Sequence, residues 1–162
     1  MNTRNITSTK TKIIGSWALV IIVAGLIFFM SAKNGNQLDN EMGLISLIKA
    51  WLAAAAEKLI GHQIDVSPVG HFTEYFIFGL TLANALRFHL KQPVSSVVAV
   101  VIASLYGVSD EIHQIFVPTR SCDPLDWLVD TIAAACAVAV FAIIMRKKNN
   151  HPDETSGIAI HQ

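Results

Sequence analysis

Residues 13–31, IIGSWALVIIVAGLIFFMS, carry no charged side chain. Crossing the ~30 Å hydrocarbon core of a bilayer takes about 20 apolar residues in a helix. In that core each backbone amide must find its partner within the protein, so only helices and closed barrels span it. A run of this length therefore restricts the chain to a helical membrane protein, unless the run is a signal peptide. The basic residues ahead of it, Arg4, Lys10 and Lys12, would suit either reading. But the run exceeds the usual ~7–15 residues of a signal peptide, and no small-x-small cleavage pattern follows. The segment is read as a retained helix.

Three more segments have the same character. Residues 71–88 are apolar apart from His71, Glu74, Asn84 and Arg87. The third starts at Val94, just after Pro93, and is apolar to Val108. It reaches spanning length only if the helix continues through Asp110, Glu111, Ile112, His113 and Gln114. The fourth, residues 125–145, carries Asp126 and Asp130 near its start. Charged residues make up 15 % of the chain, against about 25 % in a typical soluble domain, as a lipid-embedded protein requires.

Between the first two spans, Leu44, Ile45, Ile48, Trp51, Leu52, Ala55 and Leu59 recur at helical spacing, with Gly61 placed to stop the helix. The segment is too short and too polar for a span. It reads as an amphipathic helix on the outer surface, serving as a lid or as packing. The expected fold is all-α: an integral membrane helical bundle with four transmembrane helices and an amphipathic outer-loop helix. Residues 1–12 form an N-terminal tail, 13–145 the membrane domain, and 146–162 a polar, disordered tail.

Lysine and arginine set the orientation. Arg4, Lys10 and Lys12, then Arg87 and Lys91, then Arg146, Lys147 and Lys148 fall on one side. Lys33, Lys49, Lys58 and Arg120 are spread thinly over the other. The expectation is a multi-pass protein of the cell membrane with both termini cytoplasmic. Trp17, Trp51 and Trp127 suit the headgroup level as anchors. His62 and His89 read as solvated loop residues. Cys122 and Cys136 have no metal-ligand spacing and read as unpaired.

The remaining polar residues gather at the outer end. His71 and Glu74 open the second span; Asp110, Glu111, His113 and Gln114 close the third; Arg120 and Asp123 lie in the turn; Asp126 and Asp130 open the fourth. At 3.6 residues per turn, His71, Glu74, Tyr75 and Phe78 share one face, and Tyr106, Asp110, His113 and Gln114 another. Asp123, Asp126 and Asp130 share a third if the last helix begins early, and that face continues as Ala133 and Ala137. Small residues permit close helix approach, so this face should turn into the bundle. Ionisable groups in spans are costly, and by default they mark function. Against six carboxylates (Glu74, Asp110, Glu111, Asp123, Asp126 and Asp130), Arg120 is the fixed cation nearby. Some of them must be protonated, solvated, or bound to a cation. No cofactor motif is present. A divalent cation is one solution, although no strong zinc motif such as HExxH occurs. In a low-dielectric rim Arg120 is expected to bond at least one of Asp110, Glu111, Asp123 or Asp126.

The stretch YGVSDEIHQIFVPTRSCDPLDWLVD, Tyr106 to Asp130, resembles the DExHQxF-x-P-x-R segment and following aspartates of the VanZ-like family. Asp110, Glu111, His113, Gln114, Phe116, Pro118 and Arg120 stand at the matching positions. GHFTEYFIFG is similar to the family's H-x-x-x-Y segment through His71 and Tyr75, and FFMSAKNG to the end of its first helix. The resemblance implies an integral membrane protein linked in some members to teicoplanin resistance. It implies no settled reaction.

Three functions compete. The first is an envelope or antibiotic-resistance factor that binds a glycopeptide, a lipid or a cell-wall precursor at the outer face. Arg120 would hold an anionic group and the carboxylates an amine. The second is a membrane-embedded hydrolase or transferase, with His113 or Glu111 as general base and Arg120 stabilising developing negative charge. The third is a transporter, which four spans and an apolar cytoplasmic half oppose. Apart from the lipid bilayer, no macromolecular partner is indicated. The zero net charge gives no reason to expect nucleic acid.

Overall fold

The computed structural model describes residues 3–33, 51, 57–58, 67–118 and 120–150. The described secondary structure is helical: α1 (Thr3–Ser31), α2 (Ser67–Leu86), α3 (Val94–Gln114) and α4 (Pro124–Asn150). Three of these, α1, α3 and α4, are long and apolar enough to cross a membrane by length and composition. The expected outer-loop helix falls almost wholly outside the described residues, as do His62 and the tail from 151 onward.

Two boundaries differ from expectation. Helix α1 begins at Thr3, inside the stretch read as a tail, and α4 runs through Arg146, Lys147 and Lys148 to Asn150. Both extensions add turns to a helix already nucleated by its apolar segment. Extension costs far less than nucleation. Basic residues in the last turn of α4, Lys147 and Lys148, also complement the helix dipole.

Helix α2 is the centre of the bundle and packs against α1, α3 and α4. Its inward stripe of Tyr75, Phe78, Leu82, Ala85 and Leu86 is buried. This central place explains why it can carry His71, Glu74 and Asn84 and so fall short of the hydropathy of a span. Asn84 donates to the Ser16 hydroxyl of α1 at 3.0 Å, a bond that its neighbours shield. The outer shell is apolar instead: Ile14, Ile21, Leu105 and Ile143 are exposed, as lipid-facing side chains are.

Close approach occurs where the sequence is small. A Cβ built on Gly79 of α2 would lie 2.9 Å from both the Cα and the carbonyl oxygen of Ala134 on α4. Ala133, Ala134 and Ala137 are fully buried there, as the small-residue face requires. Helix α1 packs along α2, with Trp17 at the middle of α1 donating to His89 just past the end of α2 at 3.0 Å. His89 is an exposed turn residue, as the sequence suggested, and it also accepts this bond from Trp17.

Candidate functional site

Helices α2 and α4 begin, and α3 ends, at the same end of the bundle. At 1.5 Å per residue, His71, Glu111 and Asp130 sit about 5–9 Å inside their helix termini. There they meet. The His71 Nδ1 lies 3.2 Å from Asp130 Oδ1, and Nε2 lies 3.8 Å from Asp126 Oδ2. One ligand atom each from His71, Glu111 and Asp130 falls within a 4.8 Å mutual distance. Asp130 is completely buried, and Glu111 and Asp110 are 4 % exposed. Gln114 donates to Asp110 Oδ2 at 3.4 Å. Glu74 is half-buried beside His71.

Several polar atoms in this cluster have no hydrogen-bond partner among the described residues: Asp130 Oδ2, Glu111 Oε1 and the Tyr75 hydroxyl. Leaving a buried polar group unmatched costs ~1–3 kcal/mol, more for a charged one. The ion pairs that reach these carboxylates from described residues are the two made by His71. One imidazole and several carboxylates is a donor set suited to holding a cation or an amine.

Local structure places each group. Pro124 opens α4 at its first position and Asp123 precedes it as the cap. Asp123 Oδ1 accepts from the Leu125 N–H at 2.9 Å. The backbone N–H of Asp123 donates to Glu111 Oε2 at 2.7 Å, tying the turn to α3 and holding Glu111 inward. Asp123 therefore serves the helix start rather than the face with Asp126 and Asp130. Gly107 leaves room beside Asp130, since a Cβ there would lie 3.4 Å from Asp130 Oδ2.

Two site expectations are corrected. His113 does not join the cluster: its ring stacks on Phe28 of α1 with centroids 4.3 Å apart. Residues seven apart share a helix face, and Tyr106, seven before His113, also turns to α1 and donates to the Ala24 carbonyl at 2.7 Å. Ala24 and Phe28 are one turn apart on α1. The inward stripe of α3 is Ala99, Ala103, Gly107, Asp110, Glu111 and Gln114, with Tyr106 and His113 on its flank. A scheme with His113 as general base loses its geometry accordingly. Glu111 is brought into the core of the site.

Arg120 bonds none of Asp110, Glu111, Asp123 or Asp126. Its Nε and Nη2 donate to the Lys33 carbonyl at 3.3 and 3.2 Å. Carbonyls at a helix C-terminus lack intrahelical partners and carry the negative end of the dipole, so a guanidinium finds a partner just past α1. Lys33 lies two residues beyond Ser31, the last residue of α1. The free cysteines Cys122 and Cys136 fit the expectation of no disulfide.

A bundle of long apolar helices around a buried histidine–carboxylate cluster defines a multi-pass helical membrane protein with a polar site at one end. The chain belongs to the VanZ/LLP1 family, whose family model matches residues 16–145. No curated protein and no solved structure matches it.

Proposed function

We propose that this protein is a four-span envelope factor that reduces the action of glycopeptides such as teicoplanin. It does so through a polar ligand site at the outer membrane face. The observation that carries this reading is the convergence of His71, Glu111 and Asp130, from three helices, with buried oxygens left unmatched. Such groups are expensive to retain for packing alone. Helix α2 is the fourth span, screened from lipid by its neighbours. The thinly basic side, where the cluster sits, faces outward. The ligand is a glycopeptide, a lipid or a cell-wall precursor bearing an amine for the carboxylates and an anionic group for Arg120.

The topology is checked by reporter fusions after Phe88 and after Asn150, both expected to report cytoplasm. An external signal at either point defeats the orientation.

The resistance reading is tested by teicoplanin susceptibility with and without the gene, alongside Arg120→Lys and Arg120→Ala. Two guanidinium nitrogens of Arg120 are occupied by Lys33, and Nη1 makes no hydrogen bond among the described residues. Lysine cannot hold the carbonyl and offer a second prong in one plane. Arg120→Lys is expected to keep membrane abundance and lose most of the protection, about tenfold or more if a charge-assisted bond of ~1.5–3 kcal/mol is removed. Full protection in Arg120→Lys at normal abundance ends the role assigned to Arg120. Unchanged susceptibility on deleting the gene ends the resistance reading.

A further inference from the structure

We propose that His71, Glu111 and Asp130 form a binding site for one divalent cation of the zinc class; this inference rests on the cluster being the functional site. The ligand atoms already lie within 4.8 Å of one another. Around a tetrahedral zinc with bonds of about 2.0–2.1 Å, neighbouring ligand atoms are about 3.3 Å apart. His71 Nδ1 and Asp130 Oδ1, hydrogen-bonded at 3.2 Å, already stand at the separation of such an edge, so an ion that displaced the shared proton would need no movement of either group. Glu111, whose Oε2 is held by the Asp123 N–H, offers its ligand atom within 4.8 Å of the other two.

Three independent features point to a cation beyond acidity alone. Asp130 Oδ2 and Glu111 Oε1 are buried without hydrogen-bond partners among the described residues, each on a residue more than nine-tenths buried. A divalent ion would satisfy both and offset the desolvation of the carboxylates. His71 also has a second carboxylate behind it: with Nδ1 facing Asp130, Nε2 lies 3.8 Å from Asp126 Oδ2, at ion-pair rather than hydrogen-bond distance. A carboxylate behind a ligating histidine is the usual support, fixing the tautomer and ring orientation. Third, the Tyr75 hydroxyl, one turn along α2 from His71, is buried without a hydrogen-bond partner among the described residues. Three protein ligands leave a fourth position for water, which would satisfy that hydroxyl. The imidazole favours zinc and its neighbours in the series over magnesium or calcium.

The test uses the full-length chain in detergent, carrying an affinity tag without histidine, exposed to zinc and desalted before elemental analysis. About one zinc per chain is expected for the unaltered protein, as for a three-ligand site with an open fourth position. Asp130→Asn and Glu111→Gln, which preserve shape, are expected to hold less than about a tenth of that, while Cys122→Ser holds the full amount. Asp126→Asn is expected to keep the stoichiometry but weaken binding about 10–100-fold in competition with a chelator. His71→Cys loaded with cobalt, in a Cys122→Ser and Cys136→Ser background, should show a thiolate-to-metal charge-transfer band. That band proves coordination at this position in a folded chain.

Monodisperse protein that retains no zinc overturns the proposal. So does equal zinc in Asp130→Asn, or cobalt binding in the His71→Cys chain without the charge-transfer band. Teicoplanin susceptibility measured in the same variants separates the two readings. Loss of protection in Asp130→Asn with no metal in the unaltered protein leaves the site and removes the ion. Zinc bound by the unaltered protein and lost in Asp130→Asn, with full protection in every variant, leaves the ion and removes the resistance role of the site.

Discussion

His71→Phe is expected to destabilise the protein by about 3–5 kcal/mol, because it strips a fully buried aspartate of its partner. Asp130 has no exposure, and among the described residues its side chain is hydrogen-bonded to His71. With the imidazole gone, both carboxylate oxygens lie buried without a partner beside Asp110 and Glu111. Asp130→Leu alone should cost less, since the histidine left behind still reaches Asp126 at 3.8 Å. The double variant His71→Phe with Asp130→Leu should recover much of the loss, because both polar partners are then replaced by apolar groups of similar volume. Thermal unfolding in detergent of all four proteins gives the coupling. A favourable interaction of about 1–3 kcal/mol between the two positions is expected. Additivity within about 0.5 kcal/mol would mean that the pair does not act as a unit.

The second large effect lies at the α2–α4 crossing. Gly79→Ala should lower the unfolding midpoint, although alanine is normally the better helix former. The propensity gain is about 1 kcal/mol. Against it stands a methyl placed 2.9 Å from the backbone of Ala134, which cannot rotate away. Forcing the helices apart costs about 1–3 kcal/mol for one added carbon, and more for Gly79→Val. The net loss for alanine is up to about 2 kcal/mol, or as much as roughly 4–8 °C at this chain size. Gly15 and Gly25 supply the control, since a Cβ at either meets nothing within 4 Å. Gly15→Ala and Gly25→Ala should leave the midpoint unchanged or raise it slightly. A midpoint for Gly79→Ala equal to theirs would mean that the two helices do not pack this closely.

The two predictions show what kind of information each level holds. The charge-free run at residues 13–31 and the cluster of acids at one end of the other segments were readable because hydropathy is local. The face of α4 was also readable: Asp130, Ala133 and Ala137 follow from the helical period, and all three are buried. The face of α2 through His71, Tyr75 and Phe78 follows in the same way.

Other features depend on how helices rotate against their neighbours. The period fixes angles between residues on one helix, but not which angle meets which partner. On α3, Glu111 and His113 sit on opposite flanks of Asp110, and both were eligible to face inward. Packing against Phe28 and Ala24 of α1 took His113 and Tyr106, and Glu111 went to the cluster. Arg120 was legible as the cation nearest the acids, but its partner is a backbone carbonyl past the end of α1, which has no sequence signature. Asp123 looked like one more acid of the site until Pro124 and the Leu125 N–H made it a helix cap.

By itself, then, the sequence determined the helical class of this protein, its apolar segments and the end of the bundle where its charges collect. Those properties follow from the solvation of each residue type and the 3.6-residue period. Only the tertiary structure decided that α2 lies at the centre and that His71, Glu111 and Asp130 are the residues that meet. That choice depends on distances between chain segments up to 59 residues apart, such as His71 and Asp130. It is settled by the close contact at Gly79 and Ala134, which sets how α2 and α4 rotate against each other.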